Sequence, residues 1–287
     1  MKERKKVLLW LLIVAVLLVA SIITGNHAGQ SETIQQTMRD AVLHNENRID
    51  LLGWKAVNPG LISGFVVTAI LLIAAAVLRI CWIPRFKYVP GRCQLVLEEV
   101  VGLFDRMAKT SSPRMNRFLG AYIFGAGVYI FVGTLFELFG LQAITTAGRA
   151  ITLPAPLSDV NGAIALGCLS YLIILSGGIA GNGIKGVKAT LKEFSLPISM
   201  SFRLFGALLS GLLVTELVYY YINLSYILPV VVGVLFTLLH AVIQSYVLTM
   251  LTAMFYGEVS QPEPETEKEP KHARARHRSH ENTPQAA

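Results

Sequence analysis

Long apolar stretches set the rhythm of this chain, and charged segments separate them. Val7–Ile23 is an apolar run of 17 residues, and Leu61–Ile83, Phe118–Leu141 and Ala163–Ala180 follow it. Glu193 and Glu258 then frame 64 residues that carry two formal charges, Arg203 and Glu216. The runs are long and do not alternate with period two, so they predict helices rather than strands. About 20 helical residues cross the hydrocarbon of a bilayer, and in lipid the backbone is satisfied only within helices or a closed barrel. The pattern predicts an all-α polytopic membrane protein with about five to six membrane helices. The last helix should start near Tyr226, after a short break at Asn223–Ser225, and run to about Tyr256. It is long for an upright span of about 20 residues, so a strong tilt is expected.

The polar intervals divide the chain further. Residues 1–24 form an N-terminal hydrophobic segment behind a basic end. At 17 apolar residues it fits either a cleaved signal or a retained first helix. Residues 25–60 read as an external polar segment, with room for a short helix, 61–258 as the membrane domain, and 259–287 as a disordered tail rich in proline and charge. Between the first two long spans, Leu97, Val100, Val101, Phe104, Met107 and Ala108 recur at helical spacing, and Glu98, Glu99, Asp105, Arg106 and Lys109 fill the other face. This predicts an amphipathic helix lying in the membrane surface.

Composition agrees with the pattern: 53% of residues are hydrophobic and 15% charged, which marks an integral membrane protein. The net charge of +7 sits in loops and tail and is a topology signal before it is a nucleic-acid signal. Pro84–Arg117 holds seven basic residues against three acids, and Gly181–Glu193 holds three lysines. The positive-inside rule places both loops, the basic N-terminal end and the tail in the cytoplasm. Three scattered cysteines suggest neither a disulfide framework nor a metal site. No P-loop appears, so any ATP chemistry belongs elsewhere.

Arg203 is the residue that most needs explaining. An arginine at the centre of a membrane helix costs about 2.5 to 3.5 kcal/mol on insertion scales, so it is a functional-site hypothesis by default. On a helix, Gly206, Ala207, Ser210 and Gly211 share its face and would admit a close neighbour. Glu137, Asp159, Glu216 and His240 are further ionisable groups in or beside apolar segments, and Gln244 follows His240 by one turn. Singly, each suits a satisfied hydrogen-bonding residue; together they suggest a water-lined ion or proton path.

Two motifs carry a resemblance. SLPISMSFRLFG, around Arg203, and AVIQSYVLTMLTAMFYGE, around Gln244, resemble signatures of subunit a of the F-type ATP synthases. PGRCQLVLEEVVGLFDRMAKT is similar to that family's segment after its first span. The resemblance covers roughly Leu61–Glu258. It implies the ion-translocating stator of a rotary ATP synthase, with two half-channels leading to a carboxylate on a ring of c subunits. Partners would be that c-ring, the peripheral-stalk subunit b, the lipid bilayer, and H+ or Na+ as the transported ion. The location would be the cell inner (plasma) membrane, and no cofactor or catalytic residue is implied.

Residue by residue, Arg203 matches the essential arginine and Gln244 the glutamine opposite it. Pro197 and Ser199 match the approach turn before the arginine. Asp159 and Asn161 match an Asp-x-Asn at the start of an earlier helix, and Glu137 stands where some members carry an acid. The family's Asn four residues after the arginine is Ala207 here, its Glu or His nine after is Leu212, and its His, Glu or Gly seven before the glutamine is Thr237. Glu216 and His240 lie about one turn from the last two positions, so a relocated access path is expected. These departures suggest a divergent branch, the N-type ATPases, for which Na+ is the alternative ion. A secondary transporter holding an anionic substrate on Arg203 is the reading from another class. It predicts paired broken helices in internal repeats.

Overall fold

The computed structural model describes residues 49–51, 54–113, 116–144, 150–220 and 228–261, together with the isolated helical positions Leu12, Ala15, Val16 and Val19. Most of Val7–Ile23, the greater part of the external segment, the break at 223–225 and the tail lie outside the described residues.

A short antiparallel ribbon comes first, β1 (Ile49–Leu51) with β2 (Trp54–Val57). Asn58 then starts α1 (Pro59–Val77) by accepting a hydrogen bond from the Gly60 amide at 2.9 Å, with Pro59 in the first turn. Both features suit a helix start: the cap fills an orphan amide, and proline has none to lose. The span continues past Val77 as a π turn, Leu78–Trp82, and a 3-10 turn, Ile83–Arg85. Pro84 lacks the N–H that a regular α-helix needs there.

Helix α2 (Arg92–Ser111) is the predicted amphipathic helix. Phe104 and Ala108 are buried against α3 (Asn116–Leu135), where Phe104 meets Phe124 edge-on at 5.7 Å. Leu95, Val96, Val100 and Val101 stay exposed. The polar face carries the pairs Arg106–Glu99 and Lys109–Asp105, both 2.6 Å. A 3-10 turn, Phe136–Phe139, ends α3, and the hairpin β3 (Gln142–Ile144) with β4 (Ala150–Thr152) fills the loop.

Helix α4 (Val160–Asn182) stops at Gly183, whose φ of 57° favours glycine, and α5 (Ile184–Lys192) begins at once. Then come α6 (Ser195–Tyr220), carrying Arg203, and α7 (Leu228–Ser260), carrying His240 and Gln244. At 33 residues α7 measures about 50 Å, against a hydrocarbon thickness of about 30 Å. Among the described residues five helices are long and apolar enough to cross a membrane: Pro59–Arg85, Arg117–Phe139, Val160–Asn182, Ser195–Thr215 and Val231–Ser260. The chain is an all-α polytopic membrane protein.

Helix α4 is the hub, packed against α5, α6 and α7. Its glycines explain how: a β-carbon on Gly167 would collide with Ser201 of α6, one on Gly177 with the Tyr256 ring of α7, and one on Gly181 with the backbone of Ser260. Small residues at these places let the helices approach closely. The main core joins α2, α3, α4, α6 and α7 through Phe104, Ile123, Ile130, Ile174, Met200 and Leu248.

One detail departs from the sequence reading. Pro197 and Ser199 are not in a turn before the arginine helix; they belong to its first turns, because proline is tolerated where amides lack intrahelical acceptors. The short helix expected somewhere in 25–60 falls outside the described residues; the described strands Ile49–Leu51 and Trp54–Val57 of that segment pair as a ribbon.

Candidate functional site

Helix α6 divides its residues between two faces. Met200, Leu204 and Leu208, four apart, are buried, together with Ser201. Arg203, Gly206 and Ser210 lie exposed on the other side. A β-carbon added to Gly206 would meet no atom within 4 Å, so the described chain leaves that surface open. Among the described residues, Arg203 has no ion pair or hydrogen bond. A guanidinium placed there offers five N–H donors and a fixed positive charge to whatever comes next.

Helix α7 presents different faces along its length. Gln244 is only 6% exposed, and Ala241, Ser245 and Leu248 are buried with it. Ser245 Oγ donates to the Gly127 carbonyl of α3 at 2.8 Å and fixes the backbone beside Gln244. His240 is half-buried at the contact between α6 and α7, with its ring 6.0 Å from that of Phe236. Gly211, on the Arg203 side of α6, leaves the room the imidazole occupies. The small-residue stripe thus serves two ends: Gly206 and Ser210 are open, while Gly211 receives His240.

Asp159 and Asn161 are at the start of α4. Asp159 is its N-cap, and its Oδ1 accepts from the Asn161 amide at 3.4 Å and the Asn161 Nδ2 at 3.5 Å. A β-carbon on Gly60 would come within 2.9 Å of the Asp159 Cβ, so the starts of α1 and α4 abut there. Capping gives Asp159 a structural role in its own right. Glu137 sits half-buried in the 3-10 turn that closes α3, and that turn contacts α7. Glu216 belongs to α6, but its side chain lies outside what is described.

Five of the seven predicted residues fall into three places, while Gln244 is buried on α7 and the Glu216 side chain is outside what is described. Glu137, Asp159 and Asn161 gather at the end of the bundle where α3 finishes and α4 begins. His240 lies between α6 and α7, and Arg203 is on the open face. No group of three or more potential metal ligands occurs among the described residues. Sequence reasoning missed the clasp at the opposite end. Asn182 Nδ2 donates to the carbonyls of Val259 (2.9 Å) and Gln261 (2.7 Å), and the hydroxyls of Ser112 and Ser260 share a hydrogen bond at 3.2 Å. Gln261 Nε2 donates to the Ser111 carbonyl at 3.3 Å. An asparagine closing a helix just before a glycine was the only available signal.

Comparison with known proteins covers the same region. Residues 62–257 match the family described as ATP synthase A chain. The chain is 27% identical over 199 residues to the ATP synthase subunit a of Cereibacter sphaeroides (strain ATCC 17025 / ATH 2.4.3), which covers 65% of this chain and 76% of that protein. The protein of the same description from strain ATCC 17029 / ATH 2.4.9 of that organism matches over the same length with the same identity.

Proposed function

The chain belongs to the ATP synthase A chain family, and from that membership we propose that it is the ion-translocating stator subunit of a rotary ATP synthase, with Arg203 as its coupling residue. The observation that carries this reading is Arg203 itself: exposed, without an ion pair among the described residues, and flanked by the open Gly206. An apolar helix keeps such a charge, at about 2.5 to 3.5 kcal/mol, only where an interaction offsets it. A ring of c subunits presenting carboxylates at membrane depth is the partner that fits.

Each arriving carboxylate meets the guanidinium. An opposite charge within about 4 to 6 Å favours the ionised form and lowers its pKa. The site then releases its ion on one side and takes up another only after the ring has turned. The same fixed charge opposes a cation moving straight across. Glu216, His240, Glu137, Asp159 and Asn161 are the groups assigned to the access path, and Gln244 stands beside the crossing point. The peripheral-stalk subunit b holds this subunit still, and ATP chemistry lies on other subunits of the complex. The coupling ion in this reading is H+, with Na+ in the same role as its variant. The basic loops support a cytoplasmic placement of the N-terminal end and the tail in the cell inner membrane.

ATP-driven pumping in inverted vesicles tests the proposal, with wild type compared against Arg203→Ala in the presence and absence of sodium. The expected result is an assembled complex that has lost pumping, and the sodium dependence of the wild type names the ion. Undiminished pumping by Arg203→Ala would overturn the assignment.

A further inference from the structure

A cavity of about 490 Å³ opens where α4 ends, α5 crosses, α6 begins and α7 finishes. Its apolar floor is offered by the half-buried Ala189 and Phe255, backed by the buried Ile174, Leu196 and Val259. Its rim carries two lysines and two glutamates: Lys185, Lys192, Glu193 and Glu258. All four are exposed.

The neutral polar groups of this cavity are already engaged. Thr190 Oγ1 donates to the Gly186 carbonyl at 2.9 Å, Asn182 is committed to the end of α7, and Gln261 Nε2 to Ser111. The four charges are not: among the described residues none of them forms an ion pair, with one another or elsewhere. Two ammonium groups and two carboxylates thus share a rim over an apolar floor without neutralising each other. The cavity also lies where three apolar spans, Val160–Asn182, Ser195–Thr215 and Val231–Ser260, begin or end, which is headgroup depth for a membrane helix.

We propose that this cavity binds a phospholipid bearing a primary ammonium, of the phosphatidylethanolamine type. The phosphate diester accepts from Lys185 and Lys192, and the ammonium donates to Glu193 and Glu258. The upper acyl carbons lie on the half-buried Ala189 and Phe255. Headgroup chemistry selects among lipids. Phosphatidylglycerol answers the lysines but leaves both carboxylates facing further negative charge. Phosphatidylcholine carries the positive charge without any N–H to donate. Only the primary ammonium supplies both a charge and hydrogen-bond donors to the glutamates, and charge-assisted bonds are the strong ones. The site is separate from the open Arg203 face, so it stands or falls independently of the ion path.

The test is native mass spectrometry of the full-length chain, released from membranes holding equal amounts of phosphatidylethanolamine, phosphatidylglycerol and phosphatidylcholine with matched acyl chains. Wild type should retain one phosphatidylethanolamine in preference to the others by about tenfold. Retention should fall stepwise as the amine is methylated once, twice and three times, a series that needs no altered protein. Lys185→Gln with Lys192→Gln should abolish the excess. Glu193→Gln with Glu258→Gln should shift the preference to phosphatidylglycerol, with helix content by circular dichroism unchanged in both. Equal retention of the three lipids, a preference for phosphatidylglycerol in the wild type, or insensitivity to methylation would overturn the proposal.

Discussion

The imidazole of His240 lies against the backbone of Gly211, so close that a β-carbon there would come within 3.2 Å of Nδ1. The two residues belong to different helices, and Gly211 shares the helical side of Arg203. The contact ties the one half-buried histidine on α7 to the helix that carries the arginine.

Gly211→Ala should separate stability from conduction. In a helix interior alanine gains about 0.8 to 1.0 kcal/mol over glycine, and mild overpacking costs about 1 to 3 kcal/mol. The two nearly offset, so thermal stability of the purified complex should change by less than about 2 kcal/mol. The ring must move by a few tenths of an ångström, and ATP-driven ion uptake into vesicles should fall several-fold. Full retention of uptake would remove His240 from the path.

Gly206 gives the opposite contrast. A β-carbon added there meets no atom of the described chain within 4 Å. Gly206→Leu should leave the isolated subunit as stable as wild type, or more stable by about 1 kcal/mol from helix propensity. In the complex it should block close approach of the ring and abolish pumping. A leucine variant that pumps normally would show that the ring does not use this surface.

Gly167→Ala places a methyl group into Ser201 and close to the Pro197 carbonyl, at 3.0 Å. Backbone does not yield as a flexible side chain would, so α6 must shift. A loss of about 1 to 3 kcal/mol is expected, read as reduced yield of assembled complex and faster thermal inactivation. Ser201→Gly should restore part of the loss in combination, because the two positions share one contact. Additive losses would place the strain elsewhere.

Asn182→Leu removes two hydrogen bonds to the final carbonyls of α7. At about 0.5 to 1.5 kcal/mol each, the loss should be about 1 to 3 kcal/mol. Protease cleavage after residue 256 should accelerate in proportion, while Ser112→Ala, which removes one bond, should have the smaller effect.

The spans were legible because lipid enforces long apolar runs, and the face of α2 was legible because Phe104 and Ala108 recur at helical spacing. Other features had weaker signals. The three-residue strands at Gln142–Ile144 and Ala150–Thr152 are too short to show a period. Helix α5 is nine residues inside a lysine-bearing loop, although Ile184, Val187 and Leu191 already mark one side of it. The small stripe beside Arg203 could be read from spacing, but not its division into open Gly206 and occupied Gly211, which depends on where α7 lies. The clasp was hidden for the plainest reason: Ser112 and Ser260 are 148 residues apart, and no local pattern links them.

The clasp has a mechanical consequence. A stationary part that works against a turning one must return every sideways push to something fixed. Helix α7 is anchored at its Ser260 foot by two struts, Asn182 from α4 and the Ser111–Ser112 end of α2. His240 stands 20 residues up this post, about 30 Å from the foot. A rotation at the base would grow along the post, and it is checked five residues short of the histidine, where Ser245 holds the Gly127 carbonyl of α3. The clasp therefore steadies the lower half of α7, and the Ser245 bond to α3 carries that hold up to the turn below His240.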